Sequence, residues 1–204
     1  MDRLHHFIIT ACCLALLGFC GHPVFAAPVA ISTPLEIADI GTLLLPLPVE
    51  ATEAKGVEGT AAIAAQYDIT ANINDTRHYA RLIIYKDTKD MGLAADIFTQ
   101  ASANTKSLQL ISGAVKEMVG KSITENGAQL LQWYPLKPAA VGKTNAINLT
   151  SLLIVTEKLP LPMFANVYVF TQDRHLTGLA LLCPDSDRTY WEPLFRDMMA
   201  TVKN

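Results

Sequence analysis

Hydrophobic and polar positions change period several times along this chain, and each change marks an element. From Gln66 to Asn74, the residues Tyr67, Ile69, Ala71 and Ile73 alternate with polar neighbours. A period of two places alternate side chains on opposite faces of a strand, so this segment predicts a strand with one wet face. Asn74-Asp75-Thr76 supplies turn chemistry. A second strand follows from His78 to Tyr85, and the two read as a hairpin. The period then lengthens. Met91, Leu93, Ala94, Ile97, Phe98 and Ala101 recur at helical spacing between Lys89 and Ser102. A further helix from Thr105 to Val119 carries Leu108, Ile111, Val115 and Met118 on one stripe, with Gly120 placed to stop it.

Four more strands are predicted: Ala128 to Tyr134, Ile147 to Thr156, Phe164 to Phe170 and Leu176 to Cys183. Thr171 to His175 joins the last two as a hairpin. Pro160 and Pro162 close off the strand before them. A final helix is capped from Asp185, Ser186 or Asp187, holds Pro193 in its first turns, and buries Trp191, Leu194, Phe195, Met198, Met199 and Val202. Upstream, Gly41 to Pro48 reads as extended chain. Pro46 and Pro48 confine such a strand to a sheet edge. Glu50 to Gly59 reads as a loop. The order is β-β-β-α-α-β-β-β-β-α, which argues an α+β fold: a mainly antiparallel sheet flanked by helices, like an αβα sandwich, closed by a C-terminal amphipathic helix.

The chain begins differently. Phe7 to Phe19 is a continuous apolar or small run, Gly21-His22-Pro23 breaks it, and Val24-Phe25-Ala26 ends on a small residue. That is the order of a cleavable signal peptide, with Ala27 as the first mature residue. A membrane span needs about 20 apolar residues, and this run is shorter. A lipid anchor at Cys20 is a second alternative, opposed by the bulky Phe19 before it. The expected organisation is therefore a signal peptide over 1–26, a loose leader over 27–40 and one α+β domain over 41–204. Localisation is expected to be extracytoplasmic, periplasmic or secreted, with no integral membrane span after cleavage.

Half of the chain is hydrophobic and 17% is charged, which is globular composition. Formal net charge is −3 and there is no basic patch, which argues against a nucleic-acid partner. Of four cysteines, Cys12, Cys13 and Cys20 lie in the export segment. The mature chain keeps Cys183 alone, read as a small buried hydrophobe at a strand end, and so has no internal disulfide.

Chemical motifs are sparse. Gly120-Lys121-Ser122 and Gly142-Lys143-Thr144 imitate the tail of a phosphate loop, but Val115 and Lys137 stand where its leading Gly belongs. His78, His175 and Cys183 lack metal-ligand spacing, and no metal or cofactor is expected. Asp185-Ser186-Asp187 reads as a helix cap. No G-x-S-x-G elbow is present, and His175 and Cys183 are too far apart along one strand to form a thiolate pair. The remaining candidates for binding are Tyr79, Arg81 and Tyr85, which share a strand face with Ile83, and Trp133, which shares one with Leu131. Aromatic residues with Arg are the composition of interface anchors. The competing reading is core packing with Arg81 extended toward solvent. Asn74-Asp75-Thr76 and Asn148-Leu149-Thr150 are formal glycosylation sequons.

The strand Leu176-Thr177-Gly178-Leu179-Ala180-Leu181-Leu182 runs into Tyr190-Trp191-Glu192-Pro193-Leu194-Phe195-Arg196-Asp197-Met198-Met199. With the element order before it, this resembles the PsbP-like fold group. The resemblance is one of order across most of the mature chain and carries over no functional residue. It implies a non-catalytic accessory role in an extracytoplasmic assembly. The expected function is an exported accessory or binding module acting through surface contacts, with protein in the envelope as its partner. An unrecognised hydrolytic enzyme and a small-ligand carrier are the alternatives.

Overall fold

The structure is a computed structural model that describes residues 34–37, 40–46, 48–54, 63–125, 127–155 and 159–203. In chain order its elements are β1 (Leu35–Ile37), β2 (Gly41–Leu43), β3 (Val49–Glu53), β4 (Ile63–Ile73), β5 (Thr76–Lys86), α1 (Ala94–Ser102), α2 (Thr105–Glu125), β6 (Ala128–Trp133), β7 (Lys137–Val141), β8 (Thr144–Val155), β9 (Leu159–Gln172), β10 (His175–Pro184), a 3₁₀ turn (Asp185–Asp187) and α3 (Arg188–Thr201). The main sheet runs β3-β4-β5-β10-β9-β8-β6, with β7 also paired to β8, and every pairing in it is antiparallel. The α+β class read from the periodicity is the class observed.

Alternation decides which face each residue covers. Ile83, Tyr85, Leu149, Val167 and Val169 pack with Phe98, Leu108, Val115, Val119 and Ile123 of α1 and α2. Their strand neighbours Leu82, Ile84, Tyr168, Phe170, Leu179 and Leu181 pack on the other side with Trp191, Phe195, Met198 and Met199 of α3. Each large apolar side chain so buried contributes about 1.5–3 kcal/mol. Cys183 lies in this second core, buried and, among the described residues, in no disulfide.

The hairpin turns are local chemistry. Asn74-Asp75 and Asp173-Arg174 take positive φ at both positions, as type I′ two-residue turns require. Between β7 and β8, Gly142 alone has positive φ, at 56°.

Several sequence expectations are corrected. Val49–Glu53 is not a loop but a strand paired to β4, because Val49 and Ala51 bury against Ile69 and Ala71. Gly41 to Pro48 does not extend the main sheet. Only Gly41–Leu43 is a strand, and it pairs with β1 in a separate ribbon. That ribbon is held by Thr42 and Lys203, which exchange backbone hydrogen bonds at 3.0 and 3.1 Å. Leu35, Ile37 and Ile40, within the stretch read as leader, are buried in the second core. Helix α2 passes through Gly120 to Glu125 and stops before Gly127, whose φ of 75° suits a helix end. Pro162 belongs to β9, opposite Ile154, rather than ending the previous strand. Lys137–Val141 adds a strand, β7, that the predicted elements do not include; its Pro138 sits at an edge position that admits proline. Asp187 does not cap α3 with its side chain. Its carboxylate instead accepts the Tyr79 backbone N–H at 3.1 Å and faces His78 Nδ1 at 3.4 Å.

Candidate functional site: the cleft between the last helix and an edge hairpin

Tyr79, Arg81 and Tyr85 do share a face of β5, but burial separates them. Tyr85 is fully buried among Ile83 and its neighbours in the first core. Arg81 is also buried, and its Nε donates to Asp68 Oδ1 at 2.7 Å from the directly opposed position on β4. Tyr79 is half-buried. Burial first, and then the Asp68 charge and its hydrogen bond, push the phenol up to about 12. Trp133 lies in the row that crosses the sheet through Arg81, Leu182, Ala165 and Ser151. Four strand spacings of about 4.8 Å place it about 19 Å from Arg81. Its indole Nε1 donates to Ser112 Oγ of α2 at 3.4 Å. The structure therefore brings Asp68 to Tyr79 and Arg81 but does not bring Trp133 to them.

A second constellation, unread in the sequence, forms where α3 crosses the β7–β8 hairpin. Helix α3 packs on the sheet and on the Val141 end of β7, and a cleft opens beside it toward Lys137. The cleft has a volume of about 470 Å³. Its floor is one face of the sheet. Lys137, Asn148 and Tyr168 stand in a single cross-strand row, and Asn166 lies two residues from Tyr168 on the same side. Its far wall is Glu192, Arg196 and Ala200 of α3.

Each wall is held from behind. Gly142 N donates to Met199 O at 2.8 Å and clamps the hairpin turn to the end of α3. Arg188 Nε donates to Glu192 Oε2 at 2.9 Å while its Nη1 donates to the Tyr134 hydroxyl at 2.6 Å. The same guanidinium lies 4.5 Å from the Phe164 ring centre, within cation–π range. Tyr168 packs edge-on against Phe195 with ring centres 5.4 Å apart. Burial raises its phenol above the ordinary value, Arg196 opposes the shift, and Glu192 and Asp197 add to it.

The floor carries the chemistry. Asn148 Nδ2 donates to Asn166 Oδ1 at 2.6 Å and reaches Val167 O at 3.5 Å. Asn166 is only 2% exposed. Among the described residues its Nδ2 and the Asn148 Oδ1 have no partner. The dyad thus offers one donor and one acceptor side by side. Exchanging O and N in both amides preserves that presentation. Lys137 and Arg196 add positive charge at the margin, while the Glu192 carboxylate is engaged by Arg188. Such a set can hold a polar group by paired hydrogen bonds and charge. Asn148 and Asn166 are 18 residues apart in sequence, so no local motif announces them.

No family model and no curated protein matches the chain. Solved structures similar to it are the cyanobacterial PsbP (CyanoP) of Synechocystis sp. PCC 6803, at TM-score 0.47 and 13% identity over 90% of this chain and 96% of that one. LpqN of Mycobacterium tuberculosis, described as involved in cell envelope biogenesis, gives TM-score 0.42 and 16% identity over 82% and 86%. Protein PA94 of Pseudomonas aeruginosa, of unknown function and described as a putative regulator, gives 0.37 and 12% over 84% and 96%. The first is itself a PsbP protein, the group that the element order resembles. Among the described residues no helix is long and apolar enough to cross a membrane.

Proposed function

We propose that this protein is an exported, non-catalytic binding or accessory module that works outside the cytoplasm through the cleft between α3 and β7. The observation that carries this reading is the Asn148–Asn166 pair in the floor of the cleft, part-buried, whose remaining donor and acceptor are not taken up by the described residues. Both side chains keep hydrogen-bonding capacity toward the cleft, which a polar ligand can take up. The groups around the dyad suit holding rather than reacting. Glu192 is tied to Arg188, the Tyr168 phenol is made harder to ionise, and Lys137 and Arg196 are cations at the margin. The apolar run Phe7 to Phe19 and the small residue Ala26 support export.

The test expresses the full chain in a bacterial host and sequences the N-terminus of protein recovered from the envelope fraction. Ala27 is expected as the first residue. An intact Met1 on cytosolic protein would overturn the localisation. A photoreactive residue at position 137 is then compared with one at exposed Leu110, on the helix layer of the opposite face. Adducts at 137 and none at 110 support the cleft, whereas equal yields or no adduct at either overturn it.

A further inference from the structure

The cleft opens onto a strand edge, and this narrows what it can hold. Among the described strands β7 pairs with β8 alone. The two-residue Gly142-Lys143 turn makes Val141 and Thr144 a hydrogen-bonded pair. Antiparallel pairs then alternate. Ala139 with Ala146 and Lys137 with Asn148 exchange bonds across the hairpin, while Ala140 and Pro138 turn their backbone groups outward. Pro138 lacks a donor at a position whose donor would leave the sheet, which is where an edge strand admits proline. Ala140 keeps both its N–H and its C=O on that outer edge.

We propose that the cleft takes an extended, acidic peptide segment that adds as a strand to the outer edge of β7. The proposal rests on the reading of this cleft as a binding site. Ala140 supplies a donor and an acceptor to the peptide backbone, as strand addition requires. The Asn148–Asn166 pair lies two and three strand spacings, about 10 and 14 Å, inward from the added strand, so it faces the side chains that the peptide projects over the cleft rather than its backbone. Small side chains at Ala139, Ala140 and Ala200 leave room for the backbone to approach. Lys137 selects carboxylate side chains, and Arg196, whose Nε lies 3.6 Å from Asp197 Oδ1, adds a guanidinium at the rim. Glu192 does not repel them, because Arg188 lies at 2.9 Å from it.

The test titrates isotope-labelled protein, recovered after expression of the full chain, with an eight-residue peptide of alternating Val and Glu. Amide shifts are followed by NMR. Shifts confined to 137–142 and to the Asn148 and Asn166 side-chain amides are expected. A peptide N-methylated at alternate residues, and one with Lys in place of Glu, should each bind at least about tenfold more weakly. Lys137→Glu and Arg196→Glu, both on the surface, should weaken the Glu peptide by about tenfold or more and leave the fold intact. Asn166→Leu should do the same if it folds. Absence of shifts at millimolar excess, shifts elsewhere on the molecule, or indifference to N-methylation or to charge reversal would each overturn the proposal. Shifts at the same residues with a soluble oligosaccharide and none with the peptide would overturn the peptide class while sparing the module. Loss of the position-137 adducts described above would remove the module itself.

Discussion

Gly142 lies against the Val202 carbonyl so closely that a Cβ at position 142 would overlap its oxygen. The same residue donates its N–H to Met199 O and takes φ of 56°. Three separate constraints thus converge on one glycine at the junction of the edge hairpin and the last helix.

Gly142→Ala should therefore destabilise the protein by about 2–4 kcal/mol, combining left-handed backbone strain with a backbone overlap that no rotamer relieves. Urea denaturation of the variant beside the parent checks this. A change below about 0.5 kcal/mol would show that the hairpin and α3 are not clamped.

Burial separates core from surface residues of similar hydrophobicity. Phe195 is 0% exposed and packs on Tyr168, whereas Leu110 is 86% exposed on α2. Phe195→Ala should cost about 3–5 kcal/mol through lost transfer energy and a cavity. Leu110→Ala should stay within about 0.5 kcal/mol. Thermal midpoints of the two variants give the comparison, and similar losses at both would contradict the assigned layers.

The Cys183 thiol is held far above its ordinary value, chiefly by burial and further by Asp187 and Asp185. The thiolate is the reacting form, so folded protein should resist iodoacetamide at neutral pH. Mass spectrometry of the Cys183 peptide should find it unmodified until urea is added. Rapid alkylation of native protein would place the side chain at the surface.

Tyr79 links stability to alkaline pH. Its phenol is raised to about 12 in the fold against 10.0 when free, first by burial and then by Asp68. The unfolded chain therefore loses this proton first as pH rises. The stabilisation is complete below about pH 10 and disappears as pH climbs to about 12. Denaturation midpoints across that window should fall, and Tyr79→Phe should fall less steeply than the parent. Tyr67, Tyr168 and Tyr190 are raised as well and supply the residual slope. An unchanged slope in Tyr79→Phe would remove Tyr79 as a contributor.

Long, strongly patterned elements were readable one by one. The alternation of Tyr67, Ile69, Ala71 and Ile73 located β4, and the stripe through Phe195 and Met199 located α3. Short elements were not. β3 carries only Val49 and Ala51 as its buried set, and β7 begins Lys137-Pro138, so neither displays enough period to outweigh its local chemistry. Gly120 misled because a glycine can end a helix or pass through one. Here the helix passes through it and runs on to Glu125.

Side-chain period is a local property of strand and helix, so the long elements, their hydrophobic faces and hence the α+β class were legible in the sequence alone. The pairing order, and with it the site, belonged to the tertiary structure. Asn148 and Asn166 meet only because β8 and β9 pair in one register, and Arg188 restrains Glu192 only once α3 lies on the sheet beside Tyr134. Contacts between residues distant in the chain depend on which strand lies beside which. No local run of residues encodes that arrangement.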